Sequence, residues 1–397
     1  MKELWLRKGE DRRLIAGHLW IFANEVDVQK SPLGDFTPGE EALVRNARGQ
    51  ALGSAFVNPH SLICARIHSR EAGLPLDGAL LRQRLATALS LREGRFDSPY
   101  YRVCHGEGDM LPGLVIDRFD GHVAVQIGTA GMEVRKDMIR EALHSLFSPS
   151  SILWDNDLPS RGLEGLAREN ELEGHAPREL DVPENGCRFF APCRTGQKTG
   201  WFYDQRRNRA EAARYANGAH VLDIFSYAGG FGGTAARAGA ASVTFIDASQ
   251  TAVDYAARNA ARNAPRLADA DAIHTLRGDA FARMEQLHDE GRRFGLICLD
   301  PPAFIKRRKD LEQGKAAYAK ANTLAVRLLE PGGVFVSCSC SHHLPAETLC
   351  ALVARAAARN RRQGRILHAG GQPEDHPVHC AMPETAYLKC LITTHME

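Results

Sequence analysis

The sequence predicts an α/β protein whose carboxyl-terminal half forms a mainly parallel, Rossmann-like sheet covered by helices. Three observations indicate this fold. From about Cys193, β-type runs alternate regularly with alanine-rich helical stretches, a pattern typical of a parallel sheet with helices on both faces. A glycine-rich elbow at 221–233 joins the first of these strands to a helix. At 397 residues the chain is also too long for one ordinary core, so we expect further domains before this sheet.

The first 72 residues carry short β-type runs with turn signals and little helix, which predicts a small N-terminal β-barrel. Its strands are expected at 39–45, 51–57 and 62–68. A small central α+β domain is predicted at 73–190, and it begins with a helix capped by Asp77. Its other predicted elements are strands at 114–117 and 123–127, a helix from about 131, a surface excursion at 157–180 and a hairpin turn at Asn185-Gly186.

Residues 191–397 form the third predicted domain. Its strands are expected at 220–225, 242–247, 272–277, 294–299, 332–339 and 385–394. An acid stands at or just after the end of each of the first four strands, namely Asp223, Asp247, Asp279 and Asp300. Because the carboxyl ends of parallel strands meet at one edge of a sheet, we expect these acids to lie together.

Composition narrows the setting in which the protein acts. No apolar run reaches the ~20 residues of a membrane span, so no membrane partner is expected. Ten scattered cysteines without a C-x-x-C pair indicate reduced thiols in the cytoplasm, and neither a zinc site nor any other metal is expected. The net charge of +2 is weak support for a nucleic-acid partner, although arginines cluster locally, as at 206–209. Whether the chain forms a homodimer is left open.

The elbow indicates the class of cofactor. A strand that stops in glycines lets a ligand approach bare backbone at the sheet edge. The elbow lacks the G-x-G-x-x-G spacing that places a pyrophosphate on a helix N-terminus, which argues against a dinucleotide. Asp247 suits the ribose hydroxyls and Asp279 the adenine amine, while a positive sulfonium favours an acid such as Asp223. These features predict S-adenosylmethionine.

The fifth predicted strand ends in a candidate nucleophile. Cys340 lies where this strand gives way to a loop, whereas Cys338 lies deeper in the strand, and a reactive thiol must be partly exposed. Carbon C5 of cytosine becomes nucleophilic enough to accept a methyl group once a thiolate has added to C6. Asp300 would hold the N3/N4 edge of that base. The group that then removes the C5 proton stays open between His342, His343 and water.

Five segments carry a resemblance to a known family. They are T-G-W-F-Y-D-Q-R at 199–206, D-I-F-S-Y-A-G-G-F at 223–231, D-P-P-A-F at 300–304, S-C-S at 339–341 and H-G-E-G-D-M-L-P-G-L at 105–114. In their order along the chain, these segments resemble a bacterial family of large-subunit ribosomal RNA cytosine-5 methyltransferases. The resemblance implies a class I methyltransferase domain at 191–397 and a PUA domain, a small RNA-binding barrel, at 1–72. No chemical role is assigned to the segment 105–114.

The resemblance also implies roles for individual residues. Cys340 would be the nucleophile and Asp300 would assist it. Ribosomal RNA would contact Arg7, Lys8, Arg12, Phe304 and Lys306. The predicted cofactor-binding residues are Tyr203, Gln205, Arg206, Asp223, Phe225, Ser226, Tyr227, Gly229, Asp247, Ala248, Ser249, Asp279, Ala280 and Asp300. Ala303 and Phe304 follow Pro302 where many RNA cytosine-5 enzymes carry a second cysteine, so a mechanism with one cysteine is implied.

Two other functions fit parts of the same pattern. An acid-Pro-Pro-aromatic segment also suits a flipped purine whose nitrogen attacks the methyl group directly, and such an enzyme needs no thiol. A non-catalytic RNA-binding protein with a vestigial methyltransferase domain is the second alternative, although the intact series of four acids argues against it.

Overall fold

The structure is a computed structural model that describes residues 1–193 and 200–396. The chain divides into two compact units. The first unit contains Met1–Arg178, Cys193–Tyr203 and Glu374–Thr385, and the second contains Glu179–Pro192, Asp204–Pro373 and Ala386–Glu397. The three domain boundaries inferred from the sequence remain a prediction.

The first unit opens with a five-stranded sheet. Its strands are β1 (Lys2–Trp5), β2 (Trp20–Ile21), β3 (Glu40–Arg45), β4 (Ala51–Val57) and β5 (Ala65–Ser69), with the short helix α1 (Arg12–Ile15) after β1. The strand order is β1-β3-β4-β5-β2, and Leu6 forms a bridge to Val26, so the sheet curls on itself. Alternate apolar residues such as Leu4, Val44 and Ile67 point into its core. The strands predicted within 39–68 are thereby confirmed, with ends shifted by up to three residues.

The second sheet of this unit is mixed and has three helices packed beside it. Strands β6 (Tyr100–His105), β7 (Leu114–Phe119), β8 (His122–Ile127), β9 (Ser151–Asp155) and β10 (Asn170–Gly174) are arranged in the order β10-β9-β8-β7-β6. The helices are α2 (Gly78–Glu93), α3 (Ala130–Glu133) and α4 (Lys136–Phe147). The Asp77 carboxylate accepts the Leu80 N–H and caps α2, as predicted.

The stretch 157–180, interpreted from the sequence as a surface excursion, is mostly exposed, although a strand and a few buried side chains anchor it. This stretch supplies the edge strand β10, and its Arg161 and Glu164 are buried. Arg161 donates to the carboxylate of Glu133, and Glu164 accepts hydrogen bonds from Asn58 and Arg66. Buried side chains of this polarity are tolerated because each is paired, so a polar composition did not distinguish them from an exposed loop.

The second unit is built on a seven-stranded sheet. Its strands are β13 (His220–Ile224), β14 (Ser242–Asp247), β15 (Ile273–Arg277), β16 (Phe294–Leu299), β17 (Leu329–Ser339), β18 (Gln363–Gly370) and β19 (Lys389–Met396), and the hairpin β11 (Glu179–Glu184) and β12 (Cys187–Pro192) precedes them. The helices are α5 (Arg206–Ala213), α6 (Gly230–Arg237), α7 (Gln250–Asn263), α8 (Pro265–Asp269), α9 (Ala280–Asp289), α10 (Leu311–Arg327) and α11 (Ala346–Arg359).

The strand order β15-β14-β13-β16-β17-β19-β18 defines the architecture of this sheet. Strands β13 to β17 are parallel, and β19 inserts antiparallel between β17 and β18. Two buried apolar clusters contact helices from opposite sides, one containing Ile224 and Tyr318 and the other Phe245 and Ala256. The predicted mainly parallel, Rossmann-like sheet is confirmed. Strand β18 was not predicted, because most of its residues are exposed and it lacks the alternation of a half-buried strand.

The hairpin predicted at Asn185-Gly186 is present. Both residues have positive φ, 53° and 72°, as a two-residue turn between β11 and β12 requires. Across the described residues, none of the helices is long and apolar enough to cross a membrane.

Candidate active site

The candidate site lies at the carboxyl edge of the second unit's sheet, where three neighbouring strands end. Strand β16 lies beside β13 on one side and β17 on the other. The chain reverses its direction of winding between β13 and β16, and ligands of open α/β sheets bind at such a switch point. The segments that leave this edge are the elbow at 225–229, the Asp300-Pro301-Pro302 segment and the turn containing Cys340.

The elbow carries unusual backbone geometry. Phe225 and Tyr227 have φ of 61° and 47°, in the left-handed region that side chains rarely adopt, and Gly229 has φ of 75°. A Cβ at Gly229 would stand 2.8 Å from the Cα of Ala256, so only glycine lets the elbow approach helix α7. Strained residues cluster at ligand sites because the surrounding structure must hold them there. The geometry of the elbow fits the predicted role of presenting backbone to a ligand, and that role remains a prediction.

Asp223 is the most deeply buried acid of the edge. It is 1% exposed, and its Oδ2 accepts the backbone N–H of Gly232 at 2.8 Å, at the start of α6. Burial raises the pKa of Asp223 from 3.8 to about 7, and the neighbouring acids Asp300 and Asp247 add to this shift. A cation placed beside Asp223 would relieve this cost. A sulfonium is such a cation.

The next two acids shape the starts of helices. Asp247 Oδ2 accepts the N–H of Tyr227 at 3.0 Å and Oδ1 accepts the N–H of Ser249 at 2.9 Å. Ser249 caps α7 by accepting from Ala252, as predicted. Asp279 caps α9 in the same way, through the N–H of Ala282 at 3.0 Å. Exposed Ala248 and buried Ala280 flank these acids.

The segment before the elbow is divided between the two units. Tyr203 belongs to the first unit, where its hydroxyl donates to the carbonyl of Arg118 at 2.9 Å. Gln205 and Arg206 belong to the second unit. Gln205 is buried and accepts from Asn208 at 2.6 Å, and Arg206 lies 3.5 Å from the carboxylate of Glu184. Thr199, which begins the predicted motif, lies outside the described residues.

The residues of the edge fit S-adenosylmethionine. Ser226 is 7% exposed, and among the described residues its hydroxyl has no hydrogen-bond partner. A buried polar atom in that state marks a place where a ligand can supply the missing partner. Together with the acids and the backbone of the elbow, Ser226 offers contacts for hydroxyls, amines and a positive charge, and the described segments of this edge do not form a phosphate loop.

The Ser339-Cys340-Ser341 turn is clamped by its two serines. Ser339 Oγ donates to the Tyr318 hydroxyl at 2.9 Å, and the same hydroxyl lies 2.9 Å from Ser341 Oγ. Ser341 Oγ also accepts the N–H of Ile305 at 3.2 Å, which ties the turn to the segment that follows Pro302. Both serines are fully buried, so the residue between them is held in one place.

Cys340 and Cys338 lie in different environments. Strand β17 ends at Ser339, so Cys340 is the first residue of the turn, half-buried, with Sγ 4.0 Å from the carbonyl oxygen of Pro301. Cys338 is fully buried within the strand, opposite Cys390. Contact with Cys390 and burial hold the pKa of the Cys338 thiol well above its usual value. The structure therefore supports the choice of Cys340 over Cys338 as the accessible thiol.

The acid-Pro-Pro-Ala-Phe segment brings Asp300 beside this turn. The N–H of Asp300 donates to the carbonyl of Ile224 at 3.3 Å, and Pro301 follows directly with its oxygen facing Cys340. Phe304 is half-buried in an aromatic group with Phe225, Phe281 and Tyr318, at centroid distances of 6.2, 6.3 and 4.8 Å. Lys306 is exposed two residues later.

The other predicted RNA contacts lie in the first unit. Arg7, Lys8 and Arg12 are exposed near the start of the curled sheet. The Nε of Arg7 donates to the carbonyl of Val26 at 3.1 Å, which leaves its guanidinium at the surface. These positions suit phosphate contacts, and their role remains a prediction.

The sequence reasoning missed a group of polar residues beside Cys340. Lys389 begins β19 opposite Ser339 and donates to the carbonyl of Ser341 at 2.6 Å. The Tyr387 hydroxyl donates to Asp204 at 2.7 Å, and its ring lies 5.7 Å from the ring of His342. These residues are distant from S-C-S in sequence and come near it through the antiparallel pairing of β19, which the sequence did not reveal.

Two families match the chain. The PUA-like domain family matches residues 4–70. The S-adenosylmethionine-dependent methyltransferase family matches residues 166–392, more than half of the chain. Both predicted folds are thereby confirmed, and S-adenosylmethionine is the cofactor of the matched family.

The chain is also similar to individual proteins over its full length. A protein of Aeromonas hydrophila subsp. hydrophila named Ribosomal RNA large subunit methyltransferase I is 35% identical, with 98% of each chain covered. A protein of the same name from Erwinia tasmaniensis is 34% identical, with 97% of each covered. The solved structure of SMU.776, described as a methyltransferase and complexed with SAH, superposes with a TM-score of 0.84. It covers 99% of this chain and 100% of its own, at 18% identity, and so supports the fold alone.

Proposed function

The chain belongs to the S-adenosylmethionine-dependent methyltransferase family, and on that premise we propose that it methylates C5 of a cytidine in large-subunit ribosomal RNA. The RNA substrate follows the name of its full-length relatives. The cytoplasm, where ribosomal RNA is made and assembled in bacteria such as those relatives, would be its place of action. The choice of C5 rests on one observation, the half-buried thiol of Cys340 at 4.0 Å from the carbonyl of Pro301, the residue directly after Asp300.

Bound S-adenosylmethionine supplies an electrophilic methyl group on a positively charged sulfur. Asp223, Ser226 and the elbow backbone would hold it, and Asp247 and Asp279 would take its ribose hydroxyls and adenine amine. The remaining predicted cofactor contacts of the second unit are Gln205, Arg206, Phe225, Tyr227, Gly229, Ala248, Ser249, Ala280 and Asp300. The predicted cofactor contact of Tyr203 rests on the resemblance of 199–206 alone.

The Cys340 thiolate would begin the reaction by forming a bond from Sγ to C6 of the cytosine. The C5–C6 π electrons then become available at C5, which forms the new bond to the methyl carbon as the methyl–sulfonium bond breaks. Asp300 would bind the N3/N4 edge and stabilise the charge that the ring gains. Loss of the C5 proton to a base returns the electron pair, the Sγ–C6 bond breaks, and Cys340 is again a thiolate.

The target base would have to leave the stack to reach this turn, because C5 and C6 cannot both be approached inside a helix. Phe304 and Lys306 follow the Pro-Pro segment and would contact the extruded nucleotide or its phosphate. Arg7, Lys8 and Arg12 would contact RNA phosphates from the PUA-like domain, which positions RNA without reading its sequence.

Replacing Cys340 with alanine tests the proposal. We expect C340A to lower 5-methylcytidine formation in ribosomal RNA by at least about a thousand-fold, because the covalent route is lost. Cys338→Ala is the matched control, since it removes a buried thiol of the same strand and should leave methylation largely intact. RNA carrying 5-fluorocytidine should trap the wild-type protein as a denaturant-resistant adduct, because fluorine at C5 cannot leave as a proton does.

The same variant decides between the alternatives. If C340A methylates RNA as fast as the wild type, cytosine C5 is excluded, and mapping the modified base would show whether a purine nitrogen accepts the methyl group. If the wild-type chain does not bind S-adenosylmethionine by calorimetry, the non-catalytic RNA-binding alternative gains support instead.

A further inference from the structure

Lys389 is held against the turn that carries Cys340. It is the first residue of β19 and pairs with Ser339, the last residue of β17. Its Nζ donates to the carbonyl oxygens of Ser341 at 2.6 Å and Tyr387 at 2.7 Å. The carbonyl of Ser341 belongs to the residue directly after Cys340, so the ammonium is fixed beside the thiol by two hydrogen bonds to backbone.

The surroundings of Lys389 are unusual for a lysine. The side chain is half-buried, and within the described residues no carboxylate lies within ion-pair distance of its Nζ. Burial lowers the pKa of Lys389 from 10.5 to about 8, and interaction with Cys340 acts in the opposite direction. A structural lysine ordinarily reaches solvent or pairs with an acid. The Nζ of Lys389 instead binds two carbonyl oxygens and interacts with the thiol of Cys340.

The other titratable groups around the turn do not favour a thiolate. Tyr318, from α10, is neutral because burial raises its pKa, and its hydroxyl is occupied by the two serines. Asp300, from the segment after β16, contributes to the raised pKa of the Cys338 thiol, two residues before Cys340. His342, next along the turn, is exposed to solvent. A nucleophilic thiolate in this turn would therefore gain from a nearby cation.

We propose that Lys389 is a positioning residue that stabilises Cys340 as a thiolate and orients its turn. The inference rests on the proposed function, in which Cys340 attacks C6. On ionisation the Sγ proton goes to solvent and the electron pair stays on sulfur, opposite the fixed ammonium of Lys389. The bond to C6 uses that pair, and the pair returns to sulfur when the bond breaks. The same cation thus favours both attack and release, which suits an enzyme with one active-site cysteine.

The test measures the ionisation of Cys340 without RNA or cofactor. The rate of iodoacetamide labelling is followed from pH 6 to 10, and peptide mass spectrometry separates labelling at Cys340 from labelling at the other cysteines. In Lys389→Met we expect the midpoint to rise by about one pH unit, which lowers the rate at pH 7 about tenfold because less thiolate is present. Lys389→Arg keeps the charge and should restore most of the shift. Lys320→Met, an exposed lysine of α10, is the matched control and should not move the midpoint.

A merely structural role would give a different result. It would change labelling at every pH while the midpoint stayed in place, and an unmoved midpoint in folded K389M overturns the inference. Should K389M not fold, the reciprocal measurement decides. In Cys340→Ala the Lys389 pKa, followed by NMR of ¹³C-methylated lysine, should fall, since coupling acts equally in both directions. An unchanged Lys389 titration there also refutes the inference.

Failure of this inference is distinguishable from failure of the proposed function. Labelling reports the thiol alone, whereas formation of 5-methylcytidine reports the reaction. A shifted midpoint without 5-methylcytidine would retain Lys389 as the partner of Cys340 and reject the cytosine substrate. An unshifted midpoint together with 5-methylcytidine would retain the cytosine substrate and reject Lys389 as the partner of Cys340.

Discussion

Two acids of the first unit and two acids at the sheet edge of the second unit are held in different ways. In the first unit, Asp109 binds Arg92 through two hydrogen bonds of 2.7 and 2.8 Å, and Asp117 binds Arg102 through two of 2.8 Å. At the sheet edge of the second unit, Asp223 and Asp247 accept backbone N–H groups. Within the described residues, neither of these two carboxylates forms an ion pair with an arginine or lysine.

The difference distinguishes an acid that stabilises the fold from an acid that is available to bind a ligand. A carboxylate that faces an arginine fork has its charge compensated and its oxygens occupied. A carboxylate held by one or two amides keeps free lone pairs and has no ion pair, so its negative charge is costly, as the raised pKa of Asp223 shows. Such an acid is ready for a cation, an amine or a hydroxyl from a ligand.

This comparison also gives the segment 105–114 a role. Asp109 accepts the N–H of His105 as well as the Arg92 fork, and Glu107 accepts from the Trp20 indole at 2.7 Å. Gly113 has φ of 82°, and a Cβ there would collide with Thr129. The segment therefore connects helix α2 and the second sheet of the first unit, which contains β6 to β10, to the curled sheet that contains β1 to β5. Its contribution is to the fold of that unit.

The largest expected effect comes from breaking the arginine-paired type of acid. Asp109→Ala should lower the free energy of unfolding by about 3–5 kcal/mol, because it leaves Arg92 buried and uncompensated. Chemical denaturation of the full chain measures this loss. Cofactor affinity of the protein that remains folded should be unchanged.

An exposed pair of the same kind is the control for that prediction. Asp137 pairs with Arg140 on α4, and the Asp137 side chain is 87% exposed. Asp137→Ala should cost less than about 1 kcal/mol, because water screens the pair. Equal losses in D109A and D137A would show that burial does not distinguish the two pairs.

The amide-held type of acid should respond in binding instead. We expect Asp223→Asn to weaken S-adenosylmethionine binding about 10- to 100-fold by calorimetry, since the charge that attracts the sulfonium is lost. Its unfolding free energy at pH 7 should equal or exceed that of the wild type, because a costly buried charge is removed. A D223N chain that binds normally would contradict the role of Asp223.

The pH dependence of stability is a second test of the environment of Asp223. The folded-state pKa of Asp223, about 7, lies above the unfolded value near 3.8. The folded state then holds the proton more tightly, so wild-type stability relative to D223N should fall as pH rises from about 4 to about 7. Melting temperatures of both proteins across that range test the sign. If the stability of the wild type relative to D223N instead increases over this pH range, the prediction is contradicted.

A small effect is also expected at Asp279. It caps α9 and is exposed, so Asp279→Ala should cost about 1 kcal/mol through the lost cap. Asp279→Ser keeps the cap but removes the charge, and comparison of the two by calorimetry isolates any contact with the adenine amine. If D279S binds S-adenosylmethionine as the wild type does, Asp279 is a cap and no more.

Much of the fold was predictable because its signals are local. The alternation of strands and helices, the glycines of the elbow and the caps at Ser249 and Asp77 each depend on a few neighbouring residues. The Asn185-Gly186 turn was predictable for the same reason. Strand β18 was missed because it is mostly exposed and does not alternate. The burial of Arg161 and Glu164 was missed because their partners Glu133, Asn58 and Arg66 lie far away in sequence.

By itself, the sequence determined the fold class, the order of the acids along the parallel strands and the exposed end of β17 where Cys340 stands. Those features follow from local periodicity and from the rule that parallel strands share an edge. Tertiary structure alone decided which acids are paired with arginines and which are held by amides. It also brought Lys389 beside Cys340 through the antiparallel register of β19 and β17. Burial and long-range pairing determine which charges surround a side chain, and neither can be inferred from the residues next to it in sequence.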